Sequence, residues 1–166
     1  MRLRRRDIRE LVFKALFADE FHDAGPAGSS EIERDRVDAG ALSQFAYIAR
    51  DYEMAERDED QVPDITAAQN MYAGSLINGV LDKKDELSGI IAAYSVGWDI
   101  DRLGAAELSV MRICLYEMLY GERLAPAIAI NEAMDLIKKY GAPEAAAFVN
   151  GILGKKAEEL AAETVT

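Results

Sequence analysis

Apolar residues recur along this chain at spacings of three and four, the period of a helix with one buried face. Alternating runs typical of strands are scarce, and only four prolines interrupt the pattern. The sequence therefore predicts an all-α fold. The clearest buried stripe lies near the N-terminus and consists of Ile8, Leu11, Val12, Ala15 and Leu16.

The same periodicity places the ends of the predicted helices. They run from about Leu3 to Phe21, from near Asp38 to before Glu56, from Asp64 to around Ser95, from Ala105 to Tyr120, from Pro126 to Gly141 and from Pro143 to Leu160. Asp64 is the expected N-cap of the third helix, and Gly141 the expected left-handed stop of the fifth. The pattern leaves open whether a break near residues 82–85 divides the third helix.

Charge is distributed unevenly along the chain. The formal net charge is −11, which disfavours a nonspecific phosphate binder that works through its overall field. Residues 1–16, however, hold six basic and two acidic residues, a local charge of +4, and the remaining 13 basic and 28 acidic residues sum to −15. Residues 31–64 alone carry −7 and are interpreted as a solvated acidic face. An anion site must therefore be local.

The basic N-terminus has helical spacing. Four arginines fall on one side of the first predicted helix, about 100° from its apolar stripe: Arg2, Arg5, Arg6 and Arg9. Phe13 and Phe17 prolong that side. Guanidinium groups bind phosphates and stack on bases, as aromatic rings do, so the combination suits single-stranded RNA. An equal alternative to RNA binding is that the arginines form a solvated basic turn and the phenylalanines belong to the ordinary core.

A second basic grouping occurs near the C-terminus. Lys138, Lys139, Lys155 and Lys156 are opposed there only by Glu144. Such lysines often only complement helix dipoles, so the grouping alone is weak support for an anion site.

Enzymatic and metal-binding functions find no support in the sequence. There is no glycine-rich phosphate loop, and the single Cys114 and single His22 make neither a disulfide nor a usual zinc set. We expect no catalytic residue, no metal and no cofactor. No apolar run approaches the roughly 18 residues of a membrane span, and the N-terminus lacks the apolar stretch of a signal peptide. The expected location is the cytoplasm.

Four ordered motifs carry a family resemblance. They are Arg5-Arg6-x-x-Arg9-Glu10 followed by Leu16-Phe17, the run from Val110 to Glu117, Ala129-Ile130-Asn131-Glu132-Ala133 with Lys138-Lys139-Tyr140-Gly141, and Phe148-Val149-Asn150-Gly151-Ile152-Leu153. Together they resemble the bacterial transcription antitermination protein NusB family. The resemblance covers most of the chain except about residues 23–64.

The resemblance implies a NusB-like helical bundle of two packed subdomains with about six to seven helices. We divide these at 1–97, with the arginine-rich helix and an acidic insertion near 24–64, and 98–166. It also implies a non-catalytic role in ribosomal RNA transcription, binding single-stranded boxA RNA with the small-subunit ribosomal protein NusE in the transcription elongation complex. A homodimer is left open.

Carried over by position, the resemblance implies a set of RNA-binding residues. These are Arg4, Arg5, Arg6, Arg9, Phe17, Glu107, Arg112, Glu144 and Phe148. Asp7 departs from the family pattern, in which a basic or small polar residue is usual, and should lower RNA affinity. From the residues alone, a structural salt bridge to Glu107 or Glu117 is the favoured role of Arg112.

Two alternative functions stay open at this point. One is a helical protein-interaction module in which the arginines meet an acidic protein face, such as residues 31–64 of a second copy. The other is a NusB-like domain related to RNA methyltransferases. Those enzymes need a further cofactor-binding α/β domain, which we do not expect within these 166 residues.

Overall fold

The computed structural model describes residues 3–22, 42, 45–49, 65–97 and 103–165. Six helices with defined bounds lie in this part of the chain: α1 (Arg5–His22), α2 (Ala67–Asp82), α3 (Lys84–Tyr94), α4 (Ala105–Leu119), α5 (Pro126–Tyr140) and α6 (Ala145–Val165). Residues 45–49 are also helical, and no described residue lies in a strand. The all-α prediction is confirmed.

The chain forms two compact units, Met1–Leu81 and Asp82–Thr166. The first contains α1, residues 45–49 and nearly all of α2, and the second contains α3 to α6. The division into an N-terminal subdomain, 1–97, and a C-terminal subdomain, 98–166, stays a prediction.

In the first unit, the apolar stripe of α1 lies in the core as predicted, with Ile8 and Val12 fully buried. The buried residues of α2 are Ala73, Leu76, Ile77 and Val80. The predicted second helix lies mostly outside the described residues, and within 45–49 its Phe45 and Ala49 are buried while Ala46 is exposed.

The start of α2 differs from the prediction. Thr66 caps the helix, because its hydroxyl accepts a hydrogen bond from the Gln69 N–H (3.2 Å) and the Gln69 side chain accepts one from the Thr66 N–H (2.8 Å). This reciprocal arrangement is a capping box. It replaces Asp64 as the expected cap, and Asp64 itself lies outside the described residues.

The second unit is built around α4. This helix contacts each of α3, α5 and α6, and eleven of its 15 residues are buried, so it has no broad polar face. The possible break near residues 82–85 is real: Lys83 alone separates α2 from α3.

Gly141 ends α5, as the sequence predicts, but not in a left-handed conformation. Its backbone is extended (φ −83°, ψ 168°), and its N–H bonds to the Ile137 carbonyl at 2.8 Å. The need for glycine here is space, since a Cβ would lie 2.9 Å from the Ile137 carbonyl oxygen. Pro143 and Glu144 then form a turn, so α6 begins at Ala145 and not at Pro143.

Candidate RNA-binding surface

Three exposed arginines open the first helix. Arg4, Arg5 and Arg6 are all exposed at the N-terminal end of α1. Arg2 lies outside the described residues. Of the four arginines grouped by helical spacing, Arg5 and Arg6 are thus exposed, and Arg4, which lies outside that spacing, is exposed beside them on a chain whose net charge is −11.

Asp7 has a structural role in starting this helix. Its carboxylate accepts the backbone N–H of Arg4 at 2.7 Å and lies 3.6 Å from the Arg4 Nε. A carboxylate in the first turn satisfies a free N–H group and complements the helix dipole. Asp7 thus orders the arginine-bearing turn, although its charge also offsets part of that of Arg4.

The fourth arginine of the predicted face points into the protein. Arg9 is only 6% exposed, and its Nη2 donates a hydrogen bond to the hydroxyl of Tyr72 on α2 at 3.1 Å. Arg5 lies over the ring of the same tyrosine, with its Cζ 4.8 Å from the ring centroid. Arg5, Arg6 and Arg9 therefore do not form one exposed row: Arg5 and Arg6 are exposed, whereas Arg9 is buried.

The two phenylalanines of α1 also separate. Phe13 is 2% exposed and belongs to the core, which corrects its predicted place on the aromatic surface. Phe17 is half-buried, with its ring centroid 5.8 Å from that of Phe13. Of this pair, only Phe17 is partly exposed.

Glu107, near the start of α4, is buried and connected to the turn before α6. It is 5% exposed, and its carboxylate accepts the backbone N–H of Ala142 at 2.8 Å. Gly104 and Gly141 make room for it, since a Cβ on either residue would lie within 3.4 Å of a Glu107 carboxylate oxygen. Glu107 therefore holds the turn from which α6 begins.

Arg112 is likewise buried, at 8% exposure, in the middle of α4. Its Nε donates to the Ser88 hydroxyl of α3 at 3.1 Å, so the side chain connects two helices of the second unit. For Arg9, Glu107 and Arg112, direct contact with RNA stays a prediction.

The beginning of α6 carries the two remaining predicted residues. Glu144 is exposed in the preceding turn, and Phe148, four residues later, is half-buried in the first turns of the helix. Among the nearby lysines, Lys138, Lys139 and Lys155 are exposed, whereas Lys156 pairs with Glu159 at 3.0 Å.

Tyr72 is the residue that the sequence did not suggest for this site. In the sequence it falls on the apolar stripe of the third predicted helix, with Ala73 and Leu76, which predicts burial only. Its contacts reach α1 across 63 positions of sequence, and no local signal indicates them.

The described ranges contain neither a metal-ligand cluster nor a helix suited to crossing a membrane. No group of three or more histidine, cysteine, aspartate or glutamate residues there is arranged to hold a metal ion. Among those same residues, no helix has both the length and the apolar character that crossing a membrane requires.

Residues 6–158 match the model of the NusB family. The chain belongs to the NusB family. The transcription antitermination protein NusB of Lachnoclostridium phytofermentans is 34% identical over 151 residues, which cover 91% of this chain and 96% of that protein.

Solved structures of the NusB family share the fold. NusB from T. maritima superimposes with a TM-score of 0.71 at 26% identity, covering 96% of this chain and 94% of that one. A complex of the antitermination factors NusB and NusE with double-stranded RNA matches with a TM-score of 0.65 at 21% identity, covering 93% of this chain and 96% of the matched chain. At that identity, the second likeness shows the fold alone.

Proposed function

We propose that this chain is a transcription antitermination factor that binds single-stranded boxA RNA together with the ribosomal protein NusE. The observation that carries the proposal is the family match over residues 6–158, which includes the exposed arginine Arg6 at the start of α1. The relatives are antitermination proteins, and a structural neighbour is a complex with NusE and RNA. The role is non-catalytic and cytoplasmic, in the transcription elongation complex during ribosomal RNA synthesis.

In this proposal, the exposed arginines supply the phosphate contacts. Arg4, Arg5 and Arg6 are accessible, and a guanidinium group can bond two phosphate oxygens at once. Phe17 and Phe148 are partly exposed, and their rings are suited to stacking on unpaired bases, with Glu144 four residues before Phe148 in the sequence. The buried residues Arg9, Glu107 and Arg112 support these groups from within their own units, and their contribution to RNA binding is expected to be mainly indirect.

NusE is proposed to strengthen a weak RNA contact. A few arginines on a chain of net charge −11 give modest affinity for a short RNA. A second protein that touches both the RNA and this chain raises the affinity by adding contacts at high effective concentration.

Fluorescence anisotropy with labelled boxA RNA tests the proposal. We expect binding that is tighter than to a scrambled RNA of equal length, and tighter again when purified NusE is added. Equal affinity for both RNAs with and without NusE would contradict it. Sedimentation of the chain alone and with RNA separates this function from a protein-interaction module, for which RNA would compete with self-association.

A further inference from the structure

One tyrosine of α2 contacts two arginines of α1. The Tyr72 hydroxyl accepts a hydrogen bond from the Arg9 Nη2 at 3.1 Å, and its ring lies under the Arg5 guanidinium, 4.8 Å from Cζ to centroid. Arg5 and Arg9 are four residues apart and share one side of the helix. Tyr72 is itself half-buried, which limits the freedom of its ring.

The two contacts are chemically different. The face of an aromatic ring carries partial negative charge and attracts a guanidinium lying over it. The hydroxyl oxygen supplies a lone pair to Arg9, whose guanidinium needs acceptors because the residue is 6% exposed. The ring therefore attracts the exposed guanidinium of Arg5, and the hydroxyl accepts a hydrogen bond from the buried guanidinium of Arg9.

We propose that Tyr72 is a positioning residue for the exposed arginines Arg4, Arg5 and Arg6. It holds the Arg5 side chain in a conformation that can bind an RNA phosphate, and it does not itself contact the RNA. This inference rests on the proposed function. A guanidinium that lies over a ring face can still donate N–H groups to a phosphate, and Arg5 is exposed to solvent. Because the ring restricts the Arg5 side chain beforehand, less conformational entropy is lost when RNA binds.

Two substitutions of Tyr72 separate the ring from the hydroxyl. Tyr72→Leu removes both contacts, and we expect boxA affinity to fall about two- to tenfold, the effect of losing one preorganised side chain. Tyr72→Phe retains the ring under Arg5, and we expect affinity to remain within about twofold of the unsubstituted chain. Urea unfolding of each variant shows how far stability has changed.

A double-substitution cycle shows whether Tyr72 acts through Arg5. With Arg5→Ala in place, adding Tyr72→Leu should cause no further loss of affinity, because the side chain that Tyr72 holds is already gone. Tyr120→Leu is the matched control: Tyr120 is exposed on the other unit and carries Lys83 4.7 Å above its ring. We expect it to leave boxA affinity unchanged.

Nuclear magnetic resonance of the unsubstituted protein gives an answer even if Tyr72→Leu fails to fold. The side-chain protons of Arg5 should be shifted upfield by the Tyr72 ring, and the shift should persist when boxA RNA is added. Loss of the shift on RNA binding would overturn the inference, because Arg5 would then leave the ring to reach the RNA.

Three affinity results would also overturn it: unchanged binding by Tyr72→Leu, tighter binding by that variant, or an equal loss in the Arg5→Ala background. Failure of the proposed function gives a different pattern. In that case the unsubstituted chain shows no preference for boxA RNA, and Arg5→Ala and Arg6→Ala have no effect either.

Discussion

The carboxylate of Glu107, in the first turn of α4, accepts the backbone N–H of Ala142 at 2.8 Å. This hydrogen bond spans 35 positions of sequence and fixes the turn between α5 and α6. Glu144 and Phe148 follow directly on that turn. The buried carboxylate of Glu107 on α4 thus fixes the turn that precedes two candidate RNA-binding residues, Glu144 and Phe148.

Replacing Glu107 should affect folding stability according to whether an acceptor remains. Glu107→Ala leaves the Ala142 N–H without this partner in a partly buried place, so we expect a loss of about 1–3 kcal/mol in the free energy of unfolding. Glu107→Gln keeps an oxygen of the same reach and should lose less. Urea denaturation of both variants measures the difference, and an equal loss would show that the hydrogen bond to Ala142 contributes little.

A glycine pair tests the crowding around the same turn. A Cβ at Gly141 would lie 2.9 Å from the Ile137 carbonyl oxygen and 3.1 Å from its Cγ2, so Gly141→Ala should destabilise the protein by about 1–3 kcal/mol. Gly154, inside α6, has nothing within 4 Å of the same position. Gly154→Ala should therefore stabilise by roughly 0.5–1 kcal/mol through helix propensity. Opposite shifts of the two urea midpoints are expected; shifts of the same sign would refute this account of Gly141.

The capping box of α2 is a third target. Thr66→Ala removes the oxygen that accepts the Gln69 N–H, and we expect a loss of about 1 kcal/mol in unfolding free energy. Thr66→Ser retains the hydroxyl and serves as the matched control. If thermal and urea unfolding cannot distinguish the two variants, the capping hydrogen bond does not stabilise α2.

Local features of the sequence predicted much of the fold. The stripe of α1 from Ile8 to Leu16 is buried as expected, because helical periodicity is a property of neighbouring residues. The pattern Thr66-x-x-Gln69 was also present, but Pro63 and Asp64 offer an equally ordinary helix start just before it. Gly141 is needed because a Cβ there would crowd Ile137 and Glu107, and that crowding exists only once the chain has folded.

The candidate site was less predictable, because its decisive contacts join distant positions. Helical spacing placed Arg5, Arg6 and Arg9 on one side of α1, but it could not show that Arg9 is buried and bonds to Tyr72, 63 residues further along the chain. Burial of Phe13 has the same origin in tertiary packing. The sequence thus indicated which residues cluster, and the fold determined which of them stay exposed.

Arg112 offers a prediction about the interior of the second unit. Because it is 8% exposed and donates to Ser88, Arg112→Ala should lower the free energy of unfolding by about 1.5–3 kcal/mol. Ser88→Ala removes only the acceptor and should cost less. A comparison of the two by urea denaturation checks this role. An Arg112→Ala protein of unchanged stability would point instead to a function outside the core.

The salt dependence of RNA binding tests the central claim most directly. If Arg6 contacts a phosphate, Arg6→Ala should flatten the slope of log K against log salt by about 0.7, the value for one contact to single-stranded RNA. Arg123→Ala, an exposed arginine between α4 and α5 outside the candidate site, should leave the slope unchanged. An Arg6→Ala slope equal to that of the unsubstituted chain would contradict the account.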